Sequence, residues 1–135
     1  MPNRKIEDLD SRLQPLCVSF LAACKEAGIN VFVSCTYRSS EEQNELYAQG
    51  RTKPGSIVTR ARGGQSKHNA TDGAGKPASL AFDIAIQSNT KKGLEWDVNS
   101  SEWRTLANVA AKFKKSLEWG GDWKFKDYPH FQLRV

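Results

Sequence analysis

Asp83 lies inside the run Leu80-Ala81-Phe82-Asp83-Ile84-Ala85-Ile86, and no other feature limits the possible folds of this chain so tightly. The run reads as a buried strand, and a bare carboxylate there costs several kcal/mol. The fold must therefore give Asp83 a salt bridge, a set of hydrogen bonds or a metal. Twenty Lys and Arg residues could supply the salt bridge. The other route runs through the only two histidines, His68 and His130. Two imidazoles and one carboxylate suit a catalytic zinc whose fourth position stays open for water.

Each of these residues also has an ordinary reading. His68 closes a polar stretch, Ser66-Lys67-His68, and read alone it is a solvated side chain. His130 lies in a terminal apolar segment with Phe131 and Leu133, where a core histidine with a satisfied ring is common. Asp72 competes with Asp83 as a ligand, although its glycine-rich surroundings look like a turn. Asp127 precedes Pro129 and is either a turn aspartate or an acid–base group beside the metal. Arg38 follows an apolar run; it is a surface arginine or a clamp for a carboxylate or oxyanion. Only the combination is persuasive.

Hydrophobic spacing supplies the scaffold. Ile6, Leu9, Leu13, Leu16, Cys17, Phe20, Leu21 and Cys24 recur at helical intervals, predicting one amphipathic helix ended by Gly28. Ile29 to Val33 reads as a strand. Ser40 with Gln43 makes a capping box for a second helix that stops at Gly50. Residues 50–79 are polar and glycine-rich, a length more often functional than decorative. Ser100 or Ser101 caps a third helix, with Trp103, Leu106, Ala107, Ala110, Phe113 and Leu117 as its buried stripe. Gly120-Gly121 marks a turn, and His130 to Leu133 a last strand. The expected fold is a single α+β domain spanning residues 1–135, about three helices on a small, mainly antiparallel sheet, with no separate wall-binding domain.

A chain of 135 residues, 39% hydrophobic and 26% charged, suits one globular domain rather than disorder. The net charge of +5 is compatible with a polyanionic partner, nucleic acid or an acidic cell envelope. Cys17 and Cys24 are seven positions apart, roughly 10 Å along a helix, beyond disulfide reach. Reduced, buried thiols are expected there; Cys35 has no cysteine partner at ligand spacing. The polar N-terminus has no apolar signal core and no run is long enough to span a membrane, so synthesis in the cytoplasm is expected.

Several motifs together resemble the M15 metallopeptidases, the family of D-Ala-D-Ala carboxypeptidases and bacterial and phage L-alanyl-D-glutamate endopeptidases. They are Thr36-Tyr37-Arg38-Ser39, Glu42-Gln43-Asn44-Glu45-Leu46-Tyr47 with Gly50-Arg51-Thr52, Ser66-Lys67-His68, Leu80-Ala81-Phe82-Asp83, Trp119-Gly120-Gly121-Asp122-Trp123 and Asp127-Tyr128-Pro129-His130-Phe131. The resemblance implies a Hedgehog/DD-peptidase-like domain with one zinc held by His68, Asp83 and His130. Asp127 takes the place of the family's catalytic acid, Arg38 that of its substrate or transition-state arginine, and Ser66 and Gln43 join Arg38 in binding substrate. The substrate implied is a peptidoglycan stem peptide cut between L-Ala and D-Glu, with D-Ala-D-Ala carboxypeptidase activity as the alternative. A phage endolysin is the expected setting: a monomer with no nucleic acid partner and no stable membrane association, reaching the wall after release. In the family the aspartate follows the first histidine by seven residues, whereas here it follows by fifteen. About eight residues are thus inserted between Asn69 and Leu80, with Gly73, Gly75 and Pro77 able to loop out. The rival from another class is a non-catalytic basic module for nucleic acid or wall polymer, using Trp119 and Trp123 beside Lys124 and Lys126 as stacking platforms.

Overall fold

The stripe from Ile6 to Cys24 does not make one helix. In the computed structural model, which describes residues 2–134, Ile6–Asp8 is a single 3-10 turn and α1 spans Gln14–Glu26. Between them the backbone pairs with a distant segment: Ser79 N–H donates to Asp8 O, and Asp10 N–H donates to Ser79 O, both at 2.9 Å. Pro15 accounts for the late start, since proline fits the first helical turn and breaks an interior one. Leu9 and Leu13 are nevertheless buried. Their spacing marked the buried positions and misjudged the backbone between them.

The strands are β1 (Asn30–Cys35), β2 (Ala81–Gln87), β3 (Leu117–Trp119) and β4 (His130–Leu133). They form one antiparallel sheet in the order β1-β2-β4-β3. β3 replaces the expected helical position of Leu117. α3 ends at Lys112, and a three-residue strand carries too little periodicity to be read from sequence. Ser100 caps α3 (Ser101–Lys112), its Oγ accepting from Trp103 N–H at 3.3 Å.

β2 shows why Asp83 can sit in an apolar run. Side chains alternate along a strand. Phe82, Ile84 and Ile86 go into the core with Phe20 and Cys17 of α1 and Trp103 and Leu106 of α3. Phe20 packs on Phe131 with ring centroids 4.5 Å apart. Asp83 takes the opposite face, away from both helices.

α2 (Ser40–Ala48) stands off this core, with Gln43 its one buried residue. Ser39, not Ser40, is its cap: Ser39 Oγ accepts from Glu42 N–H at 3.1 Å, and Glu42 Oε1 accepts from Ser39 N–H at 3.2 Å. Shifting the box by one residue frees Gln43 from capping.

The inserted stretch closes on itself. Ala78 N–H donates to Ala70 O at 3.0 Å, and Thr71 bridges Pro77. Asp72 Oδ1 accepts from Ala74 N–H at 2.8 Å and Lys76 N–H at 3.0 Å, leaving it exposed at a local turn. Gly75 supplies the turn's positive φ of 80°. Because the ends meet, the extra residues leave the sheet register around Asp83 untouched.

Candidate metal centre and its cleft

Three strands place one row of side chains on the face away from the helices. Cys35 is the β1 partner of Asp83, and His130 is its β4 partner. A bulge at Ser34 shifts the β1 register, so that Cys35 rather than Ser34 stands opposite Asp83. His68 enters from the long loop, on the 3-10 turn Lys67–Asn69. That turn is stitched to the segment that leaves β1 and to the residue that precedes β2. Arg38 N–H donates to His68 O at 2.9 Å, and Leu80 N–H to Lys67 O at 3.0 Å. Ser66 caps the turn, accepting from His68 N–H at 3.2 Å, and Asn69 Nδ2 ties it to Arg38 O at 2.8 Å.

The imidazole partners fix the tautomers. His68 Nδ1 donates to Thr36 O at 2.7 Å, which leaves the Nε2 lone pair 3.2 Å from Asp83 Oδ1. His130 Nε2 donates to Gln132 Oε1 at 2.9 Å, which leaves the Nδ1 lone pair 3.2 Å from the same oxygen. Gln132 is held in turn by Glu118, which also accepts from Trp123 Nε1 at 2.7 Å. Two lone pairs aimed at one carboxylate oxygen repel unless a positive centre lies among them. A proton can fill that role, and so can a metal ion, and the N/N/O donor set with outer partners on both rings suits zinc.

The titration behaviour follows from the same packing. Burial works against a charged His68, but hydrogen bonds to Asp83, Cys35 and Thr36 override it and push the ring up to about 10. For Asp83, burial likewise opposes ionisation, and the two histidines outweigh it, holding the carboxyl well below its ordinary range. Asp127 moves the other way. Desolvation raises its pKa and Asp83 adds to this, against the pull of His130, His68 and Arg38.

Asp127 is placed by a turn. His130 N–H donates to Asp127 O at 3.1 Å, so the chain reverses between them and Asp127 is not forced to the opposite face. Gly120 backs this turn: Asp127 N–H donates to Gly120 O at 3.0 Å, and a Cβ on Gly120 would collide with Asp127 O. Gly120→Ala must therefore move Asp127. The expected result is a kcat lower by about 100-fold, the scale of a 1 Å misplacement, with metal content unchanged. Steady-state kinetics with metal analysis checks it.

Arg38 donates from Nη1 to Gln43 Oε1 at 3.0 Å and from Nη2 to Cys35 Sγ at 3.6 Å. It lines a cleft of about 760 Å³ with Cys35, Tyr37, Leu46 and Asp83. Gln43 is a correction. Expected beside substrate, it is fully buried and sits behind Arg38, with its amide nitrogen bonded to Ala61 O at 2.8 Å. Cys35 was passed over in the sequence for want of a cysteine partner. Its sulfur and single donor atoms of His68 and Asp83 lie within 4.8 Å of one another, so it belongs to the centre's surroundings. Gln132 was also missed, and only its alternation with His130 along β4 hints at it. The stacking platforms of the rival binding module turn inward: Trp119 is 9% exposed with its N–H on Tyr128 O, and Trp123 lies against His130 with ring centroids 5.2 Å apart.

An antiparallel sheet that brings two free imidazole nitrogens onto one carboxylate, beside an arginine-lined cleft, defines a candidate mononuclear metal centre. The family profile described as VanY, D-alanyl-D-alanine carboxypeptidase, matches residues 6–127, and the chain belongs to this family of M15 metallopeptidases. It is 44% identical over 119 residues to the peptidoglycan L-alanyl-D-glutamate endopeptidase CwlK of Bacillus subtilis strain 168, covering 83% of this chain. The match spans 65% of the length of CwlK. The crystal structure of the L-Ala D-Glu endopeptidase ChiX of Serratia marcescens shares the fold, with a TM-score of 0.56 and 22% identity over 99% of this chain and 89% of that one.

Proposed function

We propose that this chain is a zinc-dependent peptidoglycan hydrolase that cuts stem peptides between L-Ala and D-Glu. The convergence of His68 Nε2 and His130 Nδ1 on Asp83 Oδ1, each at 3.2 Å, carries the reading. Similarity to CwlK supports the bond assignment. The description of the family profile favours a second reading, D-Ala-D-Ala carboxypeptidase. The segment from Thr36 to Gly55 resembles the endopeptidase branch and ranks that reading second.

Zinc held by His68, Asp83 and His130 would lower the pKa of a water to about 7 and polarise the scissile carbonyl. Asp127 takes the proton from the attacking water and delivers it to the leaving amine. Arg38 stabilises negative charge on the substrate or on the developing oxyanion. Thr36 O and Gln132 Oε1 keep the two rings in the tautomers that leave Nε2 of His68 and Nδ1 of His130 free.

A purified muropeptide stem tests the reading by mass spectrometry of its products. The endopeptidase releases fragments with a new D-Glu amino terminus, whereas the carboxypeptidase releases free D-Ala. A chelator should abolish cleavage and added zinc restore it. Cleavage that survives complete metal removal would sink the proposal.

A further inference from the structure

We propose that Gln43 is a positioning residue that holds Arg38 through a neutral oxygen and so leaves the guanidinium charge free for the substrate. The role of Arg38 in this inference rests on the peptidase reading above.

Gln43 is 0% exposed on a helix that is otherwise exposed or half-buried. Both ends of its amide are occupied. Oε1 accepts from Arg38 Nη1 at 3.0 Å, while Nε2 donates to Ala61 O at 2.8 Å and Thr59 Oγ1 at 3.3 Å. The other side-chain acceptor for Arg38 is the Cys35 sulfur at 3.6 Å. Neither is a carboxylate, and among the described residues no carboxylate oxygen lies within 4.0 Å of the Arg38 nitrogens.

This is not for lack of acids nearby. Glu42, Glu45 and Asp83 line the same cleft as Arg38. Each is engaged elsewhere: Glu42 in the cap with Ser39, Glu45 with Lys53, and Asp83 with the two imidazoles. A carboxylate at position 43 would grip the guanidinium more strongly, because charge-assisted hydrogen bonds are stronger than neutral ones. It would also cancel the charge that Arg38 brings to the cleft. An amide fixes the orientation without that cancellation. Its nitrogen ties the same anchor to residues 59–61, so the long loop and the arginine are set together.

Gln43→Glu is the discriminating variant, with Gln43→Met as the control that removes every hydrogen bond of the amide. At pH 8 the Gln43→Glu protein should show kcat/KM on stem peptide lower by at least about 10-fold, with its zinc content unchanged. Gln43→Met, which leaves the charge of Arg38 uncancelled, should lose less activity than Gln43→Glu. A Gln43→Glu activity near that of the wild type, or a loss no greater than that of Gln43→Met, would overturn the charge argument. Nitrogen-15 NMR of the guanidinium reads the anchor without reference to catalysis. The two Arg38 Nη signals should be distinct in the wild type and averaged in Gln43→Met, and averaging already in the wild type would overturn the anchor. If the wild type cleaves no stem peptide, the peptidase reading fails, and the NMR result still decides whether Gln43 positions Arg38.

Discussion

Asp83→Ala is expected to lose both the bound metal and the activity. Asp83 Oδ1 is the atom both imidazoles face, at 3.2 Å each, so its removal takes away the one oxygen on which they converge. Loss of an outer partner of a metal ligand typically costs ~10–100-fold in affinity or activity, and loss of the shared carboxylate should exceed that range. Asp72→Ala is the control. Asp72 caps its own turn on a loop whose ends close at Ala70 and Ala78, and its removal should leave zinc content and cleavage unchanged. Zinc content by atomic spectroscopy, measured beside hydrolysis of purified wall, distinguishes the two. If Asp72→Ala is the variant that loses metal, the ligand assignment is wrong.

Asp127→Asn should separate binding from chemistry. The amide keeps the shape of the side chain and the backbone turn to His130, so zinc should remain bound. Proton transfer is lost, and kcat should fall by about 10²–10⁴-fold. Its pH dependence has a definite sign. A general base works ionised, so activity is full above its pKa and declines as pH falls through it. Desolvation raises the pKa of Asp127, so the acid limb of wild-type kcat/KM should lie higher than an unperturbed aspartate would place it. The residual activity of the variant should lack that limb. An Asp127→Asn protein that turns over normally would remove Asp127 from the mechanism.

Local sequence located the buried positions better than it located the backbone. Leu9 and Leu13 are buried as their spacing requires, yet they lie outside α1 because residues 8–10 pair with Ser79 across the chain. Ser39 took the cap expected of Ser40; neighbouring serines offer the same chemistry, and boundaries shift by a residue at little cost. That small shift mattered. It released Gln43 to turn inward toward Arg38, a role no helix periodicity encodes. Cys35 was similarly hidden, since only the bulge at Ser34 sets it opposite Asp83.

The sequence by itself determined that a carboxylate must be accommodated in the apolar strand β2, that two histidines were the available imidazoles, and that an acidic residue precedes the last of them by three positions. These follow from composition and from the cost of burying charge, which act wherever the residues stand. Tertiary structure decided which nitrogen of each ring is free, where the turn between Asp127 and His130 sits, and that among the described residues no carboxylate oxygen stands within 4.0 Å of the Arg38 nitrogens. Each of these depends on a pairing that the folded backbone sets: Thr36 with His68 across 32 positions, and, over shorter separations, Gln132 with His130, Gly120 with Asp127 and Gln43 with Arg38. Hydrogen bonds are short-ranged and directional, so such pairings exist only once the sheet register and the loop closures have set them.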